Sequence, residues 1–215
     1  MLGRPDILAT PPRGRALCLA PHPDDEILGC GGALALHRAQ GDAVRVVIAF
    51  DGRLGLEAGL DPALRHAEAL RGGAHLGLDD YVFLDHPEGH VPAQAELERG
   101  ARLLRREIAL FAPHVVYLPW RGDDHVDHRS LAAAAELALV DFAVDVWCYE
   151  VWSPLAPERV LDLGPVWPSL CAALGEHESQ LARDDLAARL AAKARSRGAR
   201  CASGRGEAFA RRRAA

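Results

Sequence analysis

Apolar and polar positions along the chain switch between two registers. Residues 16–20 (ALCLA), 44–50 (VRVVIAF), 81–84, 114–118 and 146–152 are apolar or β-branched enough to be strands, and 159–163 makes a short sixth. Between them apolar residues recur at helical spacing over 25–40, 62–76, 94–111 and 131–140. After the break at Pro165 and Pro168, the same spacing returns over about 169–197. Strands alternating with helices of this length predict βαβ units, hence an α/β fold with a mainly parallel sheet, in a single domain from residue 16 onward. Residues 1–15, where Pro5, Pro11 and Pro12 mix with glycines and charges, read as an N-terminal surface arm. The residues beyond 197 carry little pattern, and neither a repeat nor a second-domain linker is visible.

Two places break this pattern. The first predicted strand runs directly into Pro21-His22-Pro23-Asp24-Asp25-Glu26, and the fourth into Pro119 to Arg129, PWRGDDHVDHR. No ordinary core accepts such densities of ionisable groups. In an open α/β sheet ligands bind outside the carboxyl ends of the strands, so a parallel sheet would bring both clusters to one edge. His22, Asp25 and His128 are then the expected metal ligands, because two imidazoles and one carboxylate leave an open coordination position, as in catalytic sites. Zn2+ is the first expectation, and Fe2+, Co2+ and Mn2+ suit the same donors.

Asp24, beside a ligand, is placed as general base, and His125 as the electrostatic or acid partner facing the substrate. Asp127 either keeps His125 protonated or fixes its tautomer. Glu26 is expected to orient the first turn or to back the metal. Gly29, Gly31 and Gly32 weaken the helix that follows, which points to close packing of its backbone. The GCGG run lacks G-x-G-x-x-G spacing and follows an acidic turn that would repel pyrophosphate, which argues against a nucleotide loop.

Other candidates have two readings each. Arg65 is either a bidentate fork for a substrate carboxylate or diol, or the partner of Glu68 one helical turn on. Arg53, on the glycine-rich loop 51–61, and Trp120, just past the fourth strand, are substrate-binding candidates, the indole as a platform for a sugar face. His177, with Ser179 and Gln180, reads as a packing and hydrogen-bonding element near the pocket. Loops 51–61, 85–94 and 154–158 are its expected walls.

Composition narrows the classes. The 215 residues carry a formal net charge of −5, so no basic field draws nucleic acid, and Arg211 to Arg213 read as a solvated tail. No apolar run reaches membrane-spanning length and the first 15 residues hold no export signal, so the expected location is the cytoplasm. Five scattered cysteines are expected to be free thiols.

PHPDDEILGCGG and PWRGDDHVDHRS together resemble the PIG-L/LmbE-like family of zinc-dependent N-acetylglucosaminyl deacetylases. Fainter likenesses at Arg65-x-x-Glu68, His177-x-Ser179-Gln180 and Gly206-Glu207-Ala208-Phe209 extend the resemblance over about residues 16–209. It implies a Rossmann-like, three-layer α/β sandwich and zinc held by His22, Asp25 and His128. Asp24 would be the base, with His125 backed by Asp127. The implied reaction is amide hydrolysis, releasing acetate and leaving a free amine. Members act on N-acetylglucosamine carried by inositol, malate, phospholipid or antibiotic scaffolds, so the implied partner is a small acetamido sugar or conjugate. Members also associate, often as trimers or hexamers, which implies a homo-oligomer.

The sequence departs from the family at several positions. Asp123 stands where some members carry a tyrosine acid, so His125 is expected to carry the acid role and Asp123 to sit ionised beside the metal. Leu170 replaces a frequent lysine, and Gly52-Arg53 replaces a Gly-Glu pair. Two alternatives stay open: an amidase acting on a thiol conjugate or a natural-product amide, and a noncatalytic metal- or sugar-binding module.

Overall fold

The computed structural model describes residues 4–212. Eight strands form one sheet in the order β1-β7-β8-β6-β5-β2-β3-β4. They are β1 (Asp6–Leu8), β2 (Ala16–Ala20), β3 (Val44–Phe50), β4 (Tyr81–His86), β5 (Val115–Pro119), β6 (Asp145–Tyr149), β7 (Arg159–Asp162) and β8 (Gly206–Arg211). All neighbouring pairs are parallel except those of β8, which runs antiparallel to both β6 and β7. The helices are α1 (Asp25–Ala39), α2 (Ala63–His75), α3 (Gln94–Phe111), α4 (Val126–Ala138), α5 (Trp167–Gly175), α6 (Glu178–Leu181) and α7 (Leu186–Arg197).

The central strands read as continuous apolar runs because both of their faces are covered. Ala16, Cys18 and Ala20 of β2 point into a core shared with α1, α5 and α7, while Leu17 and Leu19 point into a second core with α3 and α4. The result is the expected three-layer α/β sandwich. From β2 the chain winds outward through β3 and β4, then returns through α3 to β5 on the other side of β2. The carboxyl ends of β2 and β5 therefore flank a topological switch point, where a crevice opens.

Two segments differ from the sequence expectation. Residues 6–8 of the expected arm pair in parallel with Arg159, Val160 and Leu161 as an edge strand. The terminal stretch with little pattern supplies β8, which inserts between β6 and β7. Its alternation is hidden because it carries a buried carboxylate, Glu207. Of the expected solvated tail, Arg211 ends this strand and Arg213 lies outside the described residues.

The glycines of α1 have a packing role. A Cβ at Gly29 would lie 2.3 Å from the Tyr149 ring, and one at Gly32 would lie 2.1 Å from Leu163. Between them Cys30 leaves helical geometry (φ −145°, ψ 17°) and kinks the helix. The kink frees backbone groups that must find partners. Glu207 accepts from Gly32 N at 3.0 Å and Ala33 N at 2.7 Å, capping the second half of the helix from a distant strand. Lys193 donates to the Leu28 carbonyl and, at 2.9 Å, to that of Glu150.

Candidate metal centre

The first cluster forms because the chain turns sharply between β2 and α1. Asp24 holds φ +131°, a conformation that a residue with a Cβ rarely adopts, and its carbonyl accepts from Ile27 N and Leu28 N to start the helix. Such a φ persists only where the surroundings enforce it. Here Glu26 Oε2 accepts from Asp24 N at 3.0 Å, and the Arg65 guanidinium donates to Pro23 O at 2.7 Å and Gly52 O at 3.0 Å. Burial pushes Glu26 up to about 8, so it clamps the turn as a neutral group near pH 7.

The second cluster is the start of α4 itself. His125 is the N-cap, its Nδ1 accepting from Asp127 N at 3.3 Å, and His128 follows in the first turn. The helix begins five residues earlier than the apolar spacing predicts, because its first turn is mostly polar and ionisable residues instead of apolar core ones.

The two clusters meet at one edge. Ligand atoms of His22, Asp25 and His128 lie within 4.8 Å of one another, and all three residues are buried. Asp25 Oδ2 sits 3.1 Å from His22 Nδ1 and 3.1 Å from His128 Nε2. The second of these contacts lacks the alignment of a hydrogen bond, so His128 Nε2 is a fully buried nitrogen with no partner. Burial disfavours a charged His128, yet the Asp25 and Asp123 carboxylates beside it raise its pKa to about 9. The pocket is built to hold positive charge, and its two nitrogens and one oxygen suit a divalent cation.

Around this trio the remaining residues take definite positions. Asp123 Oδ2 lies 3.6 Å from His128 Nδ1, and the same carboxylate accepts from His125 N and Trp152 N. It is placed to orient the His128 imidazole. Asp127 Oδ2 is 3.2 Å from His22 Nε2 but 3.7 Å from His125 Nδ1, so its carboxylate backs His22 more closely than His125. The backbone N–H of Asp127 is what fixes the His125 tautomer, leaving the ring proton on Nε2. Burial and the neighbouring His22 and His128 imidazoles lower the His125 pKa. Of the two readings that the sequence left open, this direction favours the neutral imidazole with a fixed tautomer over the protonated one.

Asp24 is buried, which raises its pKa to about 6 against the opposing pull of Arg65. Arg65 Nη2 donates to Asp24 Oδ2 at 3.0 Å. The Arg65–Glu68 pair, one of the two readings of Arg65, does not form: Glu68 instead accepts from Ser179 N at 2.8 Å and Ser179 Oγ at 2.6 Å. His177 is fully buried near this junction, and burial drives it down to about 3, so it is neutral.

A cavity of about 470 Å³ opens over these groups, lined by His22, Asp24, Asp25, Arg65, His125 and Asp127. Arg53 and Trp120 lie outside it. The Arg53 side chain is 69% exposed and pairs with Asp51, while Trp120 donates to Ser153 O at 2.9 Å and packs toward the Leu155 cluster. Trp152 takes a place on the wall, whereas residues 154–158 do not reach it. Sequence reasoning also passed over Glu88, whose Oε2 lies 3.0 Å from His22 Nε2, and Arg183 and Asp184 on the far wall. The polar loop 85–94 and the His177-x-Ser179-Gln180 stretch were the available signals.

The match to the family model for GlcNAc-PI de-N-acetylase (PIG-L) runs over residues 17–139, more than half of the chain. The chain belongs to the PIG-L family. It is 35% identical over 156 residues to a 1D-myo-inositol 2-acetamido-2-deoxy-alpha-D-glucopyranoside deacetylase of a Mycobacterium species, covering 58% of this chain and 51% of that protein. It is 30% identical over 126 residues to a diacetylchitobiose deacetylase of Thermococcus kodakarensis, covering 54% of this chain and 45% of that one. The PIG-L chain thus spans about half the length of the curated relatives it matches. Its fold superposes on a conserved protein of Thermus thermophilus with a TM-score of 0.77 and 27% identity, covering 91% of this chain and 93% of that one. Among the described residues no helix is long and apolar enough to cross a membrane.

Proposed function

We propose that this PIG-L chain is a metal-dependent amide hydrolase, with Zn2+ as its metal, that removes the N-acetyl group from a 2-acetamido sugar or glycoconjugate. The observation that carries the reading is the meeting of His22, Asp25 and His128 with Asp24 alongside, at the floor of an open polar cavity. The named deacetylases among its relatives support the reaction class. A divalent cation held by those three residues would polarise the amide carbonyl and acidify a water.

The chain's own residues account for the rest. Arg65 occupies Asp24 Oδ2, so Asp24 Oδ1 is the oxygen that takes the proton from the attacking water. His125 Nε2–H donates to the carbonyl oxygen as negative charge develops there, a role for which a neutral imidazole suffices. Asp24, once protonated, returns its proton to the leaving amine, a task the sequence had assigned to His125 alone. Glu88, Arg183 and Asp184 line the outer cavity and provide acceptors and donors for sugar hydroxyls. A noncatalytic binding module would have no use for the strained, Arg-held Asp24.

Acetate release from N-acetylglucosamine and its inositol conjugate, with metal content measured in parallel, tests the proposal. Asp24→Asn should keep the metal while lowering kcat by about 10²–10⁴-fold. A variant that keeps full turnover would overturn the assignment of the base.

A further inference from the structure

Helix α1 is two helical pieces end to end. Its first turn begins at Asp25, one of the three clustered metal-binding candidates, and the helical path breaks at Cys30. In an unbroken helix Gly32 N would donate to Leu28 O and Ala33 N to Gly29 O. Both N–H groups donate to Glu207 here, at 3.0 and 2.7 Å. The turn that carries Asp25 therefore has a C-terminal end of its own, and its last carbonyls need other donors.

Lys193 of α7 supplies one of them. Its ammonium donates to Leu28 O and, at 2.9 Å, to Glu150 O, which lies just past the end of β6. Burial pushes the Lys193 pKa down, so the charge is costly to keep there. No carboxylate repays that cost by pairing with it among the described residues. The Glu150 carboxylate, on the very residue whose carbonyl Lys193 meets, accepts from Arg197 Nε at 2.7 Å and Leu155 N at 2.7 Å. An ammonium held by two neutral carbonyls has some task other than ion pairing.

What the two carbonyls share is the metal centre. Leu28 follows Asp25 by three residues in the same turn. Glu150 precedes Trp152 by two residues, and Trp152 N donates to Asp123 Oδ2 at 3.1 Å, the oxygen that lies 3.6 Å from His128 Nδ1. One bond of Lys193 thus leads to Asp25 and the other to His128. These two side chains come from different helices, yet Asp25 Oδ2 and His128 Nε2 stand 3.1 Å apart. Ligand constellations tolerate only about 0.5 Å of misplacement. We propose that Lys193 is a positioning residue of the metal centre: by holding the Leu28 and Glu150 carbonyls on one ammonium, it sets the spacing of Asp25 and His128 about their cation. This rests on the metal-dependent reading above.

The test removes the donor and keeps most of the side chain, in Lys193→Met. The control is Asp185→Ala, which weakens the same helix by removing its N-cap bond to Ala188 N and touches neither carbonyl. Zinc affinity of the full chains is measured by competition with a chelator. Cobalt-loaded chains are compared by visible absorption, and the metal-free chains by circular dichroism and thermal unfolding. Lys193→Met should weaken zinc binding by about 10–100-fold and shift the cobalt bands. Asp185→Ala should lower the unfolding midpoint while keeping zinc affinity within about twofold of wild type. Should Lys193→Met fold poorly, Lys193→Gln, with an N–H donor on a shorter stem, should show the same changes in smaller measure. Zinc affinity and cobalt bands unchanged in the folded Lys193 variant, or an equal loss of affinity in Asp185→Ala, overturns the inference and leaves the hydrolase reading standing. A wild type that holds no zinc overturns both.

Discussion

Arg65 Nη2 and Asp24 Oδ2 are 3.0 Å apart, and both side chains are almost completely buried. The guanidinium neutralises a carboxylate that burial would otherwise protonate, and it ties the Pro23 carbonyl before it to the Gly52 carbonyl of the neighbouring loop. Arg65→Met should therefore raise the Asp24 pKa. The acidic limb of the kcat/KM profile should move to higher pH and kcat should fall. Removing one partner of a buried pair should also cost on the order of 3–5 kcal/mol of stability, read from denaturant unfolding. An unchanged acidic limb would show that Arg65 does not act on Asp24.

Gly29 and Gly32 are required by close approach. Gly29→Ala drives a methyl into the Tyr149 ring, whose hydroxyl donates to Leu19 O at 2.8 Å beside the metal centre. A loss of about 1–3 kcal/mol is expected from this overpacking, despite the better helix propensity of alanine. Urea unfolding of the variant checks it.

Glu207 gives stability a defined pH dependence. Burial raises its pKa from 4.5 to about 7, against the pull of the Ala33 and Gly32 N–H groups and Lys193. The folded chain thus holds this proton more tightly than the unfolded one. Its contribution is most favourable below about pH 4.5 and is lost as pH rises from there through about 7. Glu207→Gln should remove that slope, so wild type and variant should diverge as the pH of unfolding is raised from about 5 to about 7.5. Parallel curves would contradict the assignment.

Asp123 backs His128 across 3.6 Å while holding two backbone N–H groups. Asp123→Asn preserves the shape and removes the charge. Metal affinity should drop by about 10–100-fold, measured by competition with a chelator, with little change in fold.

The two clusters at strand ends were legible because ionisable residues stand out against an apolar strand. The same contrast hid other features. α4 was expected from Leu131 because the mostly polar run from Val126 to Ser130 masks helical spacing, yet those residues form its first turn. β8 was missed because Glu207, a charge within a buried strand, answers a kink in α1 more than 170 residues away. The partner of Arg65 depends on the positive φ of Asp24, and no spacing rule reveals that. Likewise Trp120 and Trp152, both aromatic and both near the edge, differ only in the direction that the 119–129 and 150–155 loops give them.

The central claim is that His22, Asp25 and His128 share one cation, and metal analysis tests it most directly. Protein loaded with zinc and dialysed should retain about one ion per chain, His128→Ala should lose it, and Asp24→Asn should keep it. Stoichiometric zinc retained by His128→Ala, or none held by the wild type, would contradict the account.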